Sequence, residues 1–400
     1  MKNTMKRVIT LALVLMMIAG LTVTAYAAEE NPEAQPANTT AFVIQKELTA
    51  YNPDGSSVHA PSIRYSYSIA PGSAGNAITD QAGVKVETYA GITGAEITES
   101  VSWSPADMLN ASPEGTANFK DITIDLSKVA FPRAGVYRYA ITETVEEGAY
   151  EAAGVTDGSI SSVRYLDVYV NDAGIYGFIL MSDNVNVTGA TAKTEGFVSA
   201  TDGAGDKLSA DSYYTFNVTV SKEVKNDAYI KNTHHQFPFA VSFKNDSITA
   251  PVQLGVSPSE HAKQEALAAG VINELRANPT IADSASVTYT GVPAGTMVSV
   301  SETNDITGAT YGVISSGADT NVQGDDEYQM LFSNETSKDA VLNAQAHGTQ
   351  NINKTIAFTN TLLVISPTGV VLRVAPYVLM LGVGLVLLVI ARKRRLAREA

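Results

Sequence analysis

From about residue 40 to residue 362 the chain is a succession of short runs in which apolar and polar positions alternate. Ile63, Tyr65, Tyr67 and Ile69 share one parity, as do Tyr137, Tyr139 and Ile141, and later Phe237, Phe239, Val241 and Phe243. A period of two is the signature of half-buried strands. Clusters such as Asn52-Pro53-Asp54-Gly55 and Asp202-Gly203-Ala204-Gly205 punctuate the runs as turns. The expected class is all-β, with two immunoglobulin-like sandwiches in series over residues 40–212 and 213–364. One segment reads differently. Ser257, Pro258 and Glu260 form a capping box with Pro at the first helical position, Leu267, Val271 and Leu275 recur every four residues, and Asn278-Pro279 closes the run. That predicts a helical insertion in the second sandwich.

Strand side chains alternate between faces, so parity also shows which polar residues point inward. Lys222 shares a face with Phe216, Val218, Val220 and Val224. Glu302 shares one with Val298 and Val300, and Asn360 with Ile356, Phe358 and Leu362. A buried lysine, glutamate and asparagine are each costly unless they meet. Burial favours the neutral amine and the neutral acid. A neutral Lys222 amine against the Asn360 carboxamide is a nucleophile beside an acyl group, and Glu302 can polarise the carbonyl and shuttle the proton. The product is an intramolecular isopeptide bond with loss of ammonia. Positioning of this kind is worth effective molarities of about 10⁵ M or more, so one turnover needs no separate enzyme.

The two ends change the picture. Lys2, Lys6 and Arg7 precede an apolar run from Val8 to about Thr24 and the triplet Ala25-Tyr26-Ala27, the layout of a cleavable secretory signal over residues 1–27. Near the other end, residues 374–391 are apolar and uncharged and are followed by Arg392, Lys393, Arg394 and Arg395, a membrane-spanning helix with a cytoplasmic basic tail. Just before it stands Ile365-Ser366-Pro367-Thr368-Gly369. This order resembles the cell-wall sorting signal of Gram-positive surface proteins, residues 365–400 here. The resemblance implies cleavage by a sortase between Thr368 and Gly369, with Thr368 passed to peptidoglycan or to another subunit. The membrane would then hold only the precursor.

Between those ends 18 Lys and Arg face 40 Asp and Glu, a net charge of −22. Such acidity argues against nucleic acid and anionic membrane surfaces as partners. The chain has no cysteine, so an exported protein of this size lacks the usual covalent staple. His234-His235 has no third ligand at metal-binding spacing, and no nucleophile elbow, phosphate loop or HExxH string is present. No cofactor, no metal and no enzymatic activity beyond the self-catalysed bond are expected.

Residues 219–224 (Thr-Val-Ser-Lys-Glu-Val), 293–302 (Pro-Ala-Gly-Thr-Met-Val-Ser-Val-Ser-Glu) and 357–360 (Ala-Phe-Thr-Asn) resemble the Lys, Glu and Asn elements of the streptococcal pilin isopeptide linkage domain, a Cna-B-like sandwich. The pattern is met twice. In the first half Lys46 shares a face with Phe42, Ile44 and Leu48, and Glu143 with Tyr137, Tyr139 and Ile141. Residues 135–143 and 163–170 are also similar to the family's wording. The departure comes at the end, where Gly196-Phe197-Val198-Ser199 has serine at the expected asparagine. Serine offers no carbonyl to an amine. Asp202 and Asp211 are the nearby alternatives, by loss of water; failing these, Lys46 and Glu143 remain a buried pair.

The resemblance implies a secreted, wall-anchored structural protein of the Gram-positive cell surface. Two functions stand open. A pilin-like shaft subunit needs a lysine that accepts the acyl group of the preceding subunit, for which Lys193, and behind it Lys207, are the candidates. A monomeric wall-anchored adhesin would instead bind a host surface ligand through loops of the first sandwich.

Overall fold

The computed structural model describes residues 40–79, 85–182, 193–201, 207–303, 313–319, 341–347, 353–362 and 380. The fold is all-β. Its first half runs through β1 (Ala41–Tyr51), β2 (Ile63–Pro71), β3 (Ser100–Trp103), β4 (Thr116–Asp125), β5 (Gly135–Val145), the short helix α1 (Ala149–Ala153), β6 (Val155–Thr156), β7 (Val163–Asn171), β8 (Gly174–Met181) and β9 (Gly196–Phe197). The second half holds β10 (Asp211–Lys225), α2 (Ala228–Asn232), β11 (Phe237–Lys244), β12 (Gly255–Pro258), β13 (Ser286–Pro293), β14 (Met297–Thr303), β15 (Val313–Asp319), β16 (Val341–His347) and β17 (Lys354–Leu362).

Two cores form because each half closes one sheet on another. In the first, Phe42, Ile44, Leu48, Ile122 and Ile124 from β1 and β4 pack on Tyr65, Tyr139, Ile141, Leu166 and Val168 from the sheet β8-β7-β5-β2-β3. In the second, Val218, Val220, Tyr289 and Phe358 from β10, β13 and β17 pack on Phe239, Val241, Val298 and Val300 from β11 and β14. These inward faces are the alternating apolar positions of each strand.

Strand β10 belongs to both halves. Its first residues lie parallel to β1, with Leu48 opposite Asp211 and Tyr51 opposite Tyr214, and antiparallel to β6. Its later residues pair with β13 and run parallel to β17. The boundary expected between residues 212 and 213 therefore falls inside a strand, and a single sheet passes through both sandwiches. The register against β13 slips between Phe216 and Val218. On β10 the odd positions Asp211, Tyr213, Thr215 and Asn217 are buried on one face, and the even positions Phe216, Val218, Val220, Lys222 and Val224 on the other. The extra residue lies in β13, where Thr290 and Gly291 stand against Asn217, so β10 keeps its own alternation and turns one face to each core. Asn217 at the slip exchanges amide hydrogen bonds with Asn52 of β1's end, at 2.9 and 3.1 Å, and accepts one from the Gly291 amide at 3.1 Å.

The helix predicted from Ser257 to Asn278 is not there. Ser257 and Pro258 end β12, paired with Thr288 and Val287 of β13. Beyond them come two-residue strands at Ala262–Lys263, Gly270–Val271 and Arg276–Ala277 and a single 3-10 turn at Ile272–Glu274. The Ser259 hydroxyl accepts the Ser286 amide instead of capping a helix, and His261 takes a left-handed φ of 65°. Hydrogen bonding to a neighbouring strand outweighs the weak local preference for helix, and an extended path still buries Leu254, Ile272 and Leu275.

Candidate functional site

The second core encloses one polar cluster. Lys222 Nζ lies 2.6 Å from Glu302 Oε1, and Asn360 Nδ2 donates to that same oxygen at 2.9 Å. All three residues are buried, Asn360 completely. Lys222 and Asn360 come from adjacent parallel strands, β10 and β17, in which Val224 stands opposite Asn360. Glu302 reaches across from β14, opposite Phe239 of β11. The Phe237 ring centroid is 4.3 Å from Lys222 Nζ. Burial pulls the Lys222 ammonium down to about 8, against the pull of Glu302 the other way. A usable fraction of neutral amine therefore exists near neutral pH. Oε2 of Glu302 is buried and makes no hydrogen bond among the described residues.

A second cluster of the same design lies in the first core. Lys46 Nζ is 2.8 Å from Glu143 Oε1 and 2.9 Å from Asp211 Oδ2. Leu48, two residues past Lys46, stands opposite Asp211 on parallel strands, as Val224, two past Lys222, stands opposite Asn360. Glu143 reaches across from β5, opposite Tyr67 of β2, whose hydroxyl donates to Oε2 at 2.8 Å. Lys46 Nζ sits 4.1 Å from the Tyr65 ring centroid. Asp211 is further held by the Gly158 amide on Oδ1 at 2.9 Å and the Tyr150 hydroxyl on Oδ2 at 3.3 Å. Burial pushes the Glu143 carboxyl up, with the nearby Lys46 charge opposing it.

Ser199 does not join the Lys46 cluster. Strand β9 sets Phe197 beside Lys46 as β17 sets Phe358 beside Lys222, but it ends there and does not carry Ser199 to the place opposite Leu48. Ser199 turns to the opposite face of β1, where its amide and hydroxyl each donate to the Glu47 carboxylate at 2.8 Å. The start of β10 takes over the place beside β1, and Asp211 comes with it. Parity counted back from Lys222 puts Asp211 on the other face of β10, and that face belongs to the first core. The same Leu48–Asp211 register was hidden in the sequence by a turn-rich stretch.

Lys193 is exposed and forms an isolated bridge with Met181. Lys207 is exposed too and lines an open depression of about 510 Å³ with Ser199, Ala200, Leu208 and Ser209. Asp202, Thr368 and Gly369, and the segments 1–27 and 365–400 expected to be a secretory and a sorting signal, lie outside the described residues, Met380 apart. Two further buried charges are satisfied in place. Arg138 pairs with Asp167 at 2.7 and 2.6 Å, and Arg164 donates to the carbonyls of Gly196, Ser161 and Val163. His234 stacks on His261 at 3.8 Å, and among the described residues no three His, Cys, Asp or Glu gather in a metal-binding group.

Residues 216–336 match the model of a domain of unknown function (DUF7601). No curated protein matches the sequence. Among solved structures, a mutant form of the Streptococcus pyogenes major pilin is similar over 81% of this chain and 99% of its own, at 18% identity and a TM-score of 0.39. The T3.2 major pilin of Streptococcus pyogenes covers the same shares at 17% identity and a TM-score of 0.39. A pilus-presented adhesin overlaps 50% of this chain and 37% of its own, at 16% identity and a TM-score of 0.25.

Proposed function

We propose that this chain is a pilin-like structural protein of the Gram-positive cell surface, each of whose sandwiches is closed by an internal isopeptide bond. The observation that carries the reading is the doubled geometry: in both cores a buried lysine lies within 3 Å of a buried glutamate, and an acyl side chain stands opposite the residue two past the lysine. Such a pair of buried charges is a poor way to gain stability. It is a good way to hold an amine against a carbonyl carbon.

At Asn360, Lys222 passes a proton to Glu302 and its nitrogen attacks Cγ. A second proton passes from the added nitrogen to Nδ2, the bond to Nδ2 breaks, Glu302 gives its proton to the freed ammonia, and ammonium leaves. At Asp211 the amine of Lys46 attacks Cγ with Glu143 as the proton carrier, and water leaves. A sortase would then join Thr368 to peptidoglycan or to a neighbouring subunit. Of the two lysines considered for that junction, the position of Lys207 at the edge of an open depression favours it over Lys193.

Intact-mass measurement of the purified mature protein tests the bonds. The expected mass is below that of the chain by one ammonia and one water. An undiminished mass refutes the reading. A denaturing gel of wall extracts separates the two surface roles: a ladder of covalent multimers is expected, while a single band would leave an anchored monomer of the adhesin type.

A further inference from the structure

Asp211 is gripped on both oxygens by groups that the proton exchange between Lys46 and Glu143 does not require. From these contacts we infer that the Gly158 amide and the Tyr150 hydroxyl act on the reacting carboxyl of Asp211, the first as oxyanion donor and the second as donor to the departing oxygen. The inference rests on the reading that Lys46 and Asp211 become joined.

The two oxygens are told apart by their partners. Oδ1 receives the backbone N–H of Gly158, at 2.9 Å. Oδ2 faces Lys46 Nζ at 2.9 Å and receives the Tyr150 hydroxyl at 3.3 Å. When the Lys46 nitrogen adds to Cγ, negative charge gathers on the oxygen that stays, and a fixed amide donor aimed there is worth most in a site closed to water. The oxygen that leaves must take two protons. All three protons of the Lys46 ammonium are accounted for: one remains on the new amide nitrogen, and two depart with Oδ2 as water, one of them by way of Glu143 Oε1 at 2.8 Å. Glu143 ends as it began, and no outside acid is needed. Tyr150 stabilises Oδ2 while those protons arrive. Burial holds its phenol far above the ordinary range, so it stays a donor.

The local fold is built around this grip. β6 pairs Val155 with Tyr213 and Thr156 with Ser212, which draws the next residues along the start of β10. The Ser159 amide donates to the Ser209 carbonyl at 2.8 Å. A Cβ on Gly158 would lie 2.3 Å from the Ser209 oxygen and 2.7 Å from the Ala210 carbonyl carbon. Only glycine lets the backbone N–H come this close to the Asp211 carboxyl. Tyr150 is placed by α1, which immediately precedes β6, and its ring meets the Tyr65 ring edge-on at 6.3 Å.

The test follows bond formation in time. The full chain is made by cell-free translation, synthesis is stopped, and the Lys46–Asp211 and Lys222–Asn360 cross-linked peptides are quantified by mass spectrometry at intervals. Tyr150→Phe should slow the first bond about tenfold or more, less than the 10²–10³ lost with an ideally placed donor because 3.3 Å is long. The second bond in the same molecules should form at its normal rate, which also reports that the chain folds. Fluorotyrosine at position 150 keeps the shape and strengthens the donor, so it should speed the first bond alone. A first-bond rate indifferent to both changes overturns the inference, as does a loss shared equally by both bonds with no fluorotyrosine effect. An unaltered chain that never yields the Lys46–Asp211 peptide refutes the underlying bond instead, and this inference with it.

Discussion

Asp211 and Lys222 lie on one strand, β10, yet Asp211 is bound to Lys46 in the first core and Lys222 to Glu302 in the second. With both bonds made, tension between the N-terminal side of Lys46 and the C-terminal side of Asn360 crosses to Lys222, runs back along β10 to Asp211 and leaves through Lys46. Residues 47–210 and 223–359 carry none of it. Single-molecule pulling across the chain should show no unfolding extension from either half. Asp211→Ala should release the residues from 47 to 210, a gain of roughly 500–600 Å at about 3.3–3.6 Å per residue. Extension of the first half in the unaltered protein would contradict this path.

Removing Glu302 should abolish the second bond and leave a buried cation without its partner. Glu302→Ala is expected to retain the ammonia and to lose about 3–5 kcal/mol, the cost of breaking a buried pair from one side. The double change Lys222→Met with Glu302→Leu, which also lacks the bond, should recover most of that loss because it removes both charges. Intact mass and chemical denaturation check the two parts separately.

How much of this was legible beforehand depended on whether strands ran unbroken. Lys222, Glu302 and Asn360 could be placed on core faces by counting in twos, because β10, β14 and β17 keep a constant phase. Asp211 could not, since one strand serves both cores through its two faces and the two-residue β9 diverts Ser199 to Glu47. The helix expected at Ser257 had sound local signals. What it lacked was knowledge of β13, whose free backbone groups at Val287 and Thr288 recruit Pro258 and Ser257 into a strand.

The Lys222 amine should make stability depend on pH when the bond is blocked. Its folded value of about 8 lies below the ordinary lysine value of 10.5, so the unfolded chain holds more protons between these limits, and stability rises with pH across that window. Asn360→Ala is expected to grow more stable from pH 8 toward 10.5. Lys222→Met in the same background should remove that rise. Equal pH profiles for the two variants, measured by thermal unfolding, would show that burial does not depress this amine.

The joint between the halves rests on the reciprocal amide pair of Asn52 and Asn217, with Asn52 also donating to Thr215 at 3.0 Å. Both asparagines are buried, so Asn52→Ala leaves the Asn217 amide without one partner on each of its atoms. The expected cost is about 1–3 kcal/mol. Because the pair ties the end of β1 to β10 where the two halves meet, the variant should also separate one unfolding transition into two, read by calorimetry on a chain that lacks both bonds.

The register of Asp211 leads to a sharper chemical prediction. A carboxamide has the shape of a carboxyl, and the Gly158 amide can donate to its oxygen as it does to Oδ1 of Asp211. Asp211→Asn should therefore still close the first bond, but by expelling ammonia, so that the mature variant falls short of its chain mass by two ammonias instead of one ammonia and one water. The leaving nitrogen would face Glu143, as Asn360 Nδ2 faces Glu302 at 2.9 Å in the second core. High-resolution intact mass distinguishes the two outcomes directly. A variant that loses only one ammonia would mean that the first core, despite its matching register, is built to accept an acid and not an amide.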